Sequence, residues 1–346
     1  MTNDFTPEEH KYMRRALQLA RNGSGHVSPN PMVGAVIVAP DGRVIGEGWH
    51  RKYGQPHAEP TAIAAVAEAD EHLLSQSTMY VTLEPCAHYG KTPPCALLLV
   101  SKKIPRVIVG AVDPNPLVAG KGIKILTDAG IDVRTGLLAE ESIALNKTFF
   151  FSQTHRRPFV TLKWAMSADG YMDHIRKPGE AAAVFSTAEG TMIVHKRRAL
   201  HDGIAVGART AVADNPSLTV RLIEGDNPQT VIFDGHGLAD SSNCRLIEQQ
   251  RAIIADSNNK PLAQVLETLY KEHKISSLLV EGGANLLSRF IAEGLWEEAF
   301  VEICPRHERE LGVCQAPQLP VPPSSIHHAG DNVIYGYTNL ELYSHY

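Results

Sequence analysis

His57-Ala58-Glu59 and Glu84-Pro85-Cys86-Ala87-His88-Tyr89-Gly90-Lys91-Thr92-Pro93-Pro94-Cys95 bound the stretch around which this chain is organised. It contains one imidazole, one spare carboxylate and two thiols. A catalytic zinc takes three protein ligands of N or S type and keeps a fourth position open. His57, Cys86 and Cys95 supply that set, and the two thiolates neutralise the divalent charge. Pro60 and Pro93-Pro94 suit the first turns of helices, where a missing N–H is harmless. Both helices then start at the metal, and their dipoles favour thiolate over thiol. Glu59, two residues from His57, is not a ligand in this reading. It is placed to carry a proton from activated water to a leaving amine. Water attack on a ring carbon with a mobile proton carrier is the need of a nucleobase-type deaminase.

Two blander readings compete. His-x-Glu alone occurs by chance, and Pro-Cys…Cys alone suits half of a structural zinc site. A structural site is closed by a fourth ligand, and His88 is the candidate for it. The generic deaminase signature is H-x-E with P-C-x-x-C, whereas here eight residues separate Cys86 from Cys95.

Upstream, Thr6-Pro7-Glu8-Glu9 is a helix start and Gly23 a stop. Ser28-Pro29-Asn30-Pro31 is a rigid loop into an apolar strand over 33–38. Asp41-Gly42 turns the chain into a second strand ending at Trp49. Downstream, the pattern predicts a helix from His57 to about Ala69 and a strand over 78–83. A helix from Cys95, a strand over 106–112, a helix over 122–129, a strand over 131–135 and a helix over 140–150 follow. Strands alternating with helices imply a three-layer α/β sandwich.

The chain has 346 residues, 43% hydrophobic and 21% charged, with a net charge of -5. That length implies two domains. The acidic balance argues against a nucleic-acid binder, including a nucleic-acid deaminase of similar fold. No apolar run suits a membrane span or a signal peptide. The five cysteines are scattered and odd in number, which points to a reducing cytoplasm rather than to disulfides. Cys244, Cys304 and Cys314 belong to no motif.

His155-Arg156-Arg157-Pro158 reads as a linker, after which the α/β pattern restarts. Strands are expected over 159–166, 203–207, 230–234, 252–256, 277–280, 299–303 and 333–343. Helices are expected over 187–200, 262–272 and 284–293, with a Pro-rich surface loop at 316–323. No Gly-x-Gly-x-x-Gly follows the first strand. Glu281-Gly282-Gly283-Ala284-Asn285 sits at a strand-to-helix junction and reads either as a phosphate cradle or as a tight turn. Arg197, Arg198 and Arg221 suit a substrate phosphate, though a basic helix face is often only solvated.

The motifs Pro29-Asn30-Pro31, Gly48-Trp49-His50, Pro56-His57-Ala58-Glu59, Glu84 to Cys95 with its long inter-cysteine loop, and Asp113-Pro114-Asn115-Pro116 together resemble the bifunctional deaminase–reductase of riboflavin biosynthesis. The resemblance continues through Thr161-Leu162-Lys163, His195-Lys196-x-Arg198, Asp202-x-Ile204-x-Val206-Gly207-Ala208-x-Thr210, Asp214-Asn215-Pro216-Ser217-Leu218-Thr219-Val220-Arg221 and Glu281-Gly282-Gly283. It implies a cytidine-deaminase-like three-layer sandwich, residues 1–150, as a zinc-dependent pyrimidine deaminase. It implies a dihydrofolate-reductase-like α/β domain, residues 151–346, as an NADPH-dependent reductase. The implied substrate is a small phosphorylated pyrimidine, 2,5-diamino-6-ribosylamino-4(3H)-pyrimidinone 5′-phosphate. It loses its 2-amino group, and its ribosyl chain is then reduced to ribityl. By resemblance Zn²⁺ is held by His57, Cys86 and Cys95, with Glu59 catalytic and Asn30 and His50 lining the pyrimidine pocket. Arg198, Leu218, Arg221 and Glu281 go to the reductase substrate. Ala165, Thr210, Asp214 and Gly283 go to NADPH. A cytoplasmic homodimer or higher homo-oligomer is implied.

Three segments depart from the family pattern. Pro60-Thr61 follows His-Ala-Glu, where the family usually carries a β-branched residue and Asn. Residues 179–186 lack the family's Gly-x-Ser-x-Trp run: counted back from Ser186, Ala182 and Val184 stand for its Ser and Trp. Pro305 to Gly312 replaces a Pro-x-Leu-Leu-Gly segment. The alternative these leave is a deaminase whose second domain serves substrate binding or dimerisation.

Overall fold

The computed structural model describes residues 5–89, 93–115, 118–176, 180–258, 260–307 and 312–339. Gly90 to Thr92, Pro116, Gly179, Glu308 to Leu311 and the end of the expected last strand lie outside them. The chain divides into two compact units, Met1–His155 and Arg156–Tyr346.

In the first unit α1 (Pro7–Arg21) starts with the expected capping box. The Thr6 side chain accepts from the Glu9 N–H, and the Glu9 carboxylate accepts from the Thr6 N–H. Strands β1 (Gly34–Val38), β2 (Val44–Trp49), β3 (Thr78–Leu83), β4 (Arg106–Ala111) and β5 (Asp132–Thr135) form one sheet in the order β2-β1-β3-β4-β5. β1 runs antiparallel to β2 and β3, while β3, β4 and β5 are parallel. The period of two along β1 splits the core. Ala35 and Ile37 join Ala58, Ala62, Ala96 and Leu99 on one face, and Val36 and Val38 join Met13, Ala16 and Leu19 on the other. These are the three layers the alternation implied. Helices α2 (Ala58–Ala64), α3 (Cys95–Ser101) and α4 (Lys121–Asp128) cover the first face.

Two helices differ from expectation. α2 ends at Ala64, not Ala69. Val66 and Leu74 turn back into the same core, with a 3₁₀ stretch at Glu68–Gln76. The expected helix over 140–150 is two helices, α5 (Ala139–Leu145) and α6 (Lys147–His155), parted at Asn146. The Asn146 side chain accepts from the Met32 N–H and donates to the Met32 carbonyl, at 2.8 and 2.9 Å. This tertiary pairing, invisible in the sequence, breaks the helix and holds the loop that carries Asn30.

The second unit is built on β6 (Phe159–Ser167), β8 (Gly203–Gly207), β9 (Gln229–Phe233), β10 (Ala252–Ala255), β11 (Ser277–Val280), β12 (Glu298–Cys304), β14 (Ser325–Ala329) and β15 (Asn332–Thr338), in the order β10-β9-β8-β11-β6-β12-β15-β14. All pairs from β10 to β12 are parallel, and β15 and β14 add antiparallel edges. Helices α7 (Ala188–Ala199), α8 (Ala208–Asp214), α9 (Arg245–Glu248), α10 (Leu262–His273) and α11 (Ala284–Ala292) connect them. β6 again alternates: Val160, Leu162 and Trp164 enter the core beneath α10 and α11. Thr161, Lys163 and Ala165 point to the opposite face. β7 (Tyr171–His174) and β13 (Gly312–Gln315) form a separate ribbon. β7, β13, β14, α8 and α9 were not expected from the sequence. All are short; β7 and β13 pair with each other across a long stretch of chain, whereas β14 forms a hairpin with β15.

Candidate active sites

His57 is the N-cap residue of α2, so Glu59 falls in its first turn and Pro60 at its third position, where no N–H is needed. Cys95 is the first residue of α3. The Thr61 hydroxyl donates to the His57 carbonyl at 2.6 Å, so the departure Pro60-Thr61 leaves the helix start intact. α2 lies directly on β2: a Cβ on Gly48 would stand 2.3 Å from the Ala62 nitrogen and 2.6 Å from the Ala58 oxygen. The expected ligand atoms converge. Cys86 Sγ and Cys95 Sγ lie 3.6 and 3.4 Å from His57 Nδ1. Zn–N of about 2.0 Å and Zn–S of about 2.3 Å in a tetrahedral shell put N and S about 3.5 Å apart. The donor set therefore fits zinc. Among the described residues His57, Cys86 and Cys95 form the group, and His88 does not join it. His88 lines the adjoining cavity instead.

The hydrogen bond from Cys95 holds Cys86 well below the usual thiol range, and the same contact pushes Cys95 up. Glu59 is 3% exposed. Desolvation, reinforced by the Cys86 sulfur, pushes its carboxyl up to about 7.

A cavity of about 260 Å³ opens on this group, lined among others by Asn30, His50, Asp113, Asn115, Phe149 and Gln153. His50 Nδ1 faces the Pro56 carbonyl at 3.1 Å, and Nε2 faces the Asn30 amide nitrogen at 3.1 Å. A neutral ring that donates to Pro56 and accepts from Asn30 satisfies both contacts, and burial lowers the His50 pKa accordingly.

Sequence reasoning missed Glu84. Its buried carboxylate accepts from four backbone N–H groups, those of Asp113, Gly120, Gly122 and Ile123, at 2.9–3.3 Å. It thus ties the segment bearing Asp113 and Asn115 to the strand end that leads into Cys86. Gly122 permits the approach, since a Cβ there would stand 1.9 Å from the Pro85 oxygen. The signal in the sequence is Glu84-Pro85-Cys86, a carboxylate at the strand end two residues before a metal-type thiol.

In the second unit Ala165, Thr210, Asp214, Gly283 and Glu281 line one cavity of about 340 Å³, together with Lys163. Desolvation lowers the Lys163 pKa, against the nearby Glu281 and Glu302. Arg198 does not stand free for a phosphate. Its Nε and Nη2 grip the Glu281 carboxylate at 2.9 and 2.7 Å, and Nη1 donates to the Thr219 carbonyl. Arg197 lies over the Phe300 ring, and burial lowers its pKa to about 10. Leu218 is buried in an apolar cluster, and the Arg221 N–H is accepted by His195 Nδ1 at 3.0 Å. Neither Leu218 nor Arg221 lines this cavity. Ala182 and Val184 do, and so does Arg176, which pairs with Asp173 and Asp214.

A second cavity, of about 430 Å³, shares Thr210, Gly283, Ala284 and Cys314 with the first. Cys314, read from the sequence as uninvolved, therefore faces both. The two cavities run along the C-terminal ends of parallel strands, where ligands of such sheets bind. Gly283 sits between them. Its N–H donates to Thr210 Oγ1 at 3.0 Å, and a Cβ would stand 2.8 Å from that oxygen. This elongated cradle fits a dinucleotide.

Residues 6–111 match the family model for the cytidine and deoxycytidylate deaminase zinc-binding region, and residues 158–308 match the RibD C-terminal domain. The riboflavin biosynthesis protein RibD of Aquifex aeolicus is 35% identical over 317 residues, covering 85% of this chain and 86% of its own. That of Escherichia coli is 35% identical, covering 90% and 92%. The solved structure of Acinetobacter baumannii RibD matches with a TM-score of 0.84 at 32% identity, over 96% of this chain and 98% of its own. The diaminohydroxyphosphoribosylaminopyrimidine deaminase/5-amino-6-(5-phosphoribosylamino)uracil reductase of Thermotoga maritima matches with a TM-score of 0.80 at 34% identity, over 96% and 98%. Two family models in succession and full-length relatives above 30% identity establish that the chain belongs to the RibD family of riboflavin biosynthesis, in which a zinc-dependent deaminase is joined to an NADPH-using reductase.

Proposed function

We propose that residues 1–150 deaminate 2,5-diamino-6-ribosylamino-4(3H)-pyrimidinone 5′-phosphate and that residues 151–346 reduce the ribosyl chain of the product to ribityl. The converging His57, Cys86 and Cys95 atoms beside a buried Glu59 carry the first half of this reading. Zinc, held by those three side chains, supplies the Lewis acidity that activates water. Glu59, with its carboxyl near 7, accepts a proton at neutral pH and returns it to the departing ring amine, so ammonia leaves. Asn30, held by His50, keeps its carbonyl and second N–H for the pyrimidine edge.

In the second unit NADPH supplies the hydride. Ala165, Thr210, Asp214 and Gly283 bind the cofactor. Glu281, fixed by Arg198, and Lys163 face the reacting sugar. Arg198 also positions the Leu218–Arg221 segment through Thr219, and Arg221 offers the 5′-phosphate a guanidinium with no side-chain partner among the described residues. The five free cysteines fit a reducing cytoplasm, and we expect a homodimer or higher homo-oligomer, measurable by light scattering.

The test is a two-step assay. Purified protein should release ammonia from the diamino substrate without NADPH and oxidise NADPH once the deaminated product forms. Cys86→Ser should lose zinc and the first step while retaining reduction of supplied product. Loss of both steps would count against the division, and ammonia release with no NADPH oxidation would limit the chain to deamination.

A further inference from the structure

The 430 Å³ cavity lies at the ends of β8, β9 and β10, and its lining includes Arg209, Asp234, His236, Ser257, Asn258 and Arg289. The neighbouring cavity holds Lys163 and Glu281, the groups that face the reacting sugar. A dinucleotide with its nicotinamide at that reacting end passes Gly283 and places its adenosine in the cavity at β8 to β10. The charges there are unequal in availability. Arg289 is committed: its guanidinium donates to Glu293 and to the carbonyls of Ser257 and Lys260. Asp234 is turned onto its own loop, its two oxygens accepting from the His236 and Ala239 N–H groups at 3.0 and 2.9 Å. Arg209, exposed in the first turn of α8, has no hydrogen bond or ion pair among the described residues. His236 is exposed on the loop after β9, lines the same cavity, and its ring makes no hydrogen bond among them.

A free guanidinium and an imidazole lining one cavity, with the local carboxylate occupied elsewhere, suit a phosphate monoester. An acidic residue free to bind the ribose 2′-hydroxyl would instead favour the cofactor lacking that phosphate. Resting on the reductase assignment above, we propose that Arg209, assisted by His236, binds the 2′-phosphate of the cofactor and is the residue that sets preference for NADPH over NADH.

The experiment measures binding, not turnover. Full-length protein is titrated calorimetrically with adenosine 2′,5′-bisphosphate, adenosine 5′-monophosphate, NADPH and NADH. Wild type should bind the bisphosphate and NADPH more tightly than their partners. Arg209→Ala should weaken both by about 10- to 100-fold, the worth of charge-assisted hydrogen bonds, while NADH and the 5′-monophosphate keep their affinities. The wild-type preference should also shrink with added salt. If Arg209→Ala does not fold, Arg209→Lys reads the same ratio with a smaller shift. An unchanged NADPH/NADH ratio in a folded variant, or equal weakening of both, overturns the role of Arg209 and leaves the reductase reading standing. Failure of wild type to bind any dinucleotide overturns both.

Discussion

Glu84→Gln tests how the deaminase pocket is held together. In the wild type one carboxylate accepts four backbone N–H groups. Oε2 takes those of Asp113 and Gly120, and Oε1 takes those of Gly122 and Ile123. Glutamine keeps the shape and one acceptor. Whichever way the amide turns, its NH₂ faces two N–H donors, so two buried N–H groups lose their partner. Each unsatisfied group costs about 1–3 kcal/mol, giving about 2–6 kcal/mol, with a few tenths more from the lost charge at the start of α4. The segment with Asp113 and Asn115 can escape that cost by detaching locally, and the substrate must then re-order it. A re-ordering cost of about 2 kcal/mol corresponds to a loss of about 30-fold in kcat/KM. The loss should appear chiefly in KM, because His57, Cys86, Cys95 and Glu59 are untouched. The assay is ammonia release at varied substrate, with zinc content measured by atomic absorption and reduction of supplied product as an internal control. Unchanged kcat/KM, or loss of zinc in parallel with kcat, would refute the positioning role.

Glu59→Gln should retain zinc and lower ammonia release by about 10²- to 10⁴-fold, read in a fixed-time ammonia assay. A strong chelator should abolish ammonia release while reduction of supplied product continues, since the metal group lies wholly within the first unit. Gly48→Val should destabilise the first unit by about 1–3 kcal/mol or more, because the new Cβ meets the α2 backbone at 2.3 Å. The readouts are a lower melting temperature and reduced zinc retention. His201 gives a pH prediction. Its ring faces the Arg197 carbonyl and the Thr161 hydroxyl at 2.7 and 2.9 Å, and desolvation lowers its pKa in the presence of Arg197, Asp202 and Glu298. The folded pKa lies below the unfolded value, so the unfolded chain binds the extra proton. The neutral ring's contribution is complete above about pH 6.5 and is lost as pH falls through the lower folded value, at up to about 1.4 kcal/mol per pH unit. Denaturation midpoints from pH 8 to 5 should fall less steeply in His201→Gln than in wild type. Equal slopes would exclude His201 as the titrating group.

The two sites were unequally legible. The convergence of His57, Cys86 and Cys95 was readable because the two helix starts at His57 and Cys95 are announced locally by Pro60 and Pro93-Pro94. What holds the pocket was not readable. Asn146 reaches Met32 and Glu84 reaches Gly122, contacts 114 and 38 residues apart. The reductase cavity is built from the ends of several strands whose neighbours in space are not neighbours in sequence. Its residues were therefore named by resemblance, and Arg198 shows the limit. A basic helix face suggested a phosphate site, but the fold places Glu281 across from it and closes a bidentate pair.

The segment with Ala182 and Val184 is where the family pattern and this chain part, and the structure shows what stands there. Ala182 offers no hydroxyl, and Val184 is 75% exposed, so it does not pack as a tryptophan would. The backbone is nonetheless anchored at both ends. The Ala183 N–H donates to Asp173. The Ser186 hydroxyl and Thr187 N–H donate to Glu302, a buried carboxylate that also accepts from Asn332. Arg176 then ties Asp173 to Asp214, which lines the same cavity. The cavity wall is thus retained by an ion-paired frame in place of side-chain contacts to the ligand. Removing two contacts of neutral type costs about 1–3 kcal/mol of binding in total, whereas the frame keeps Asp214 neutralised beside an anionic cofactor. Arg176→Ala should therefore weaken NADPH binding, read by calorimetric titration, more than Val184→Ala does, because it removes the cation shared by two carboxylates at the cavity; equal weakening would refute the role of the frame.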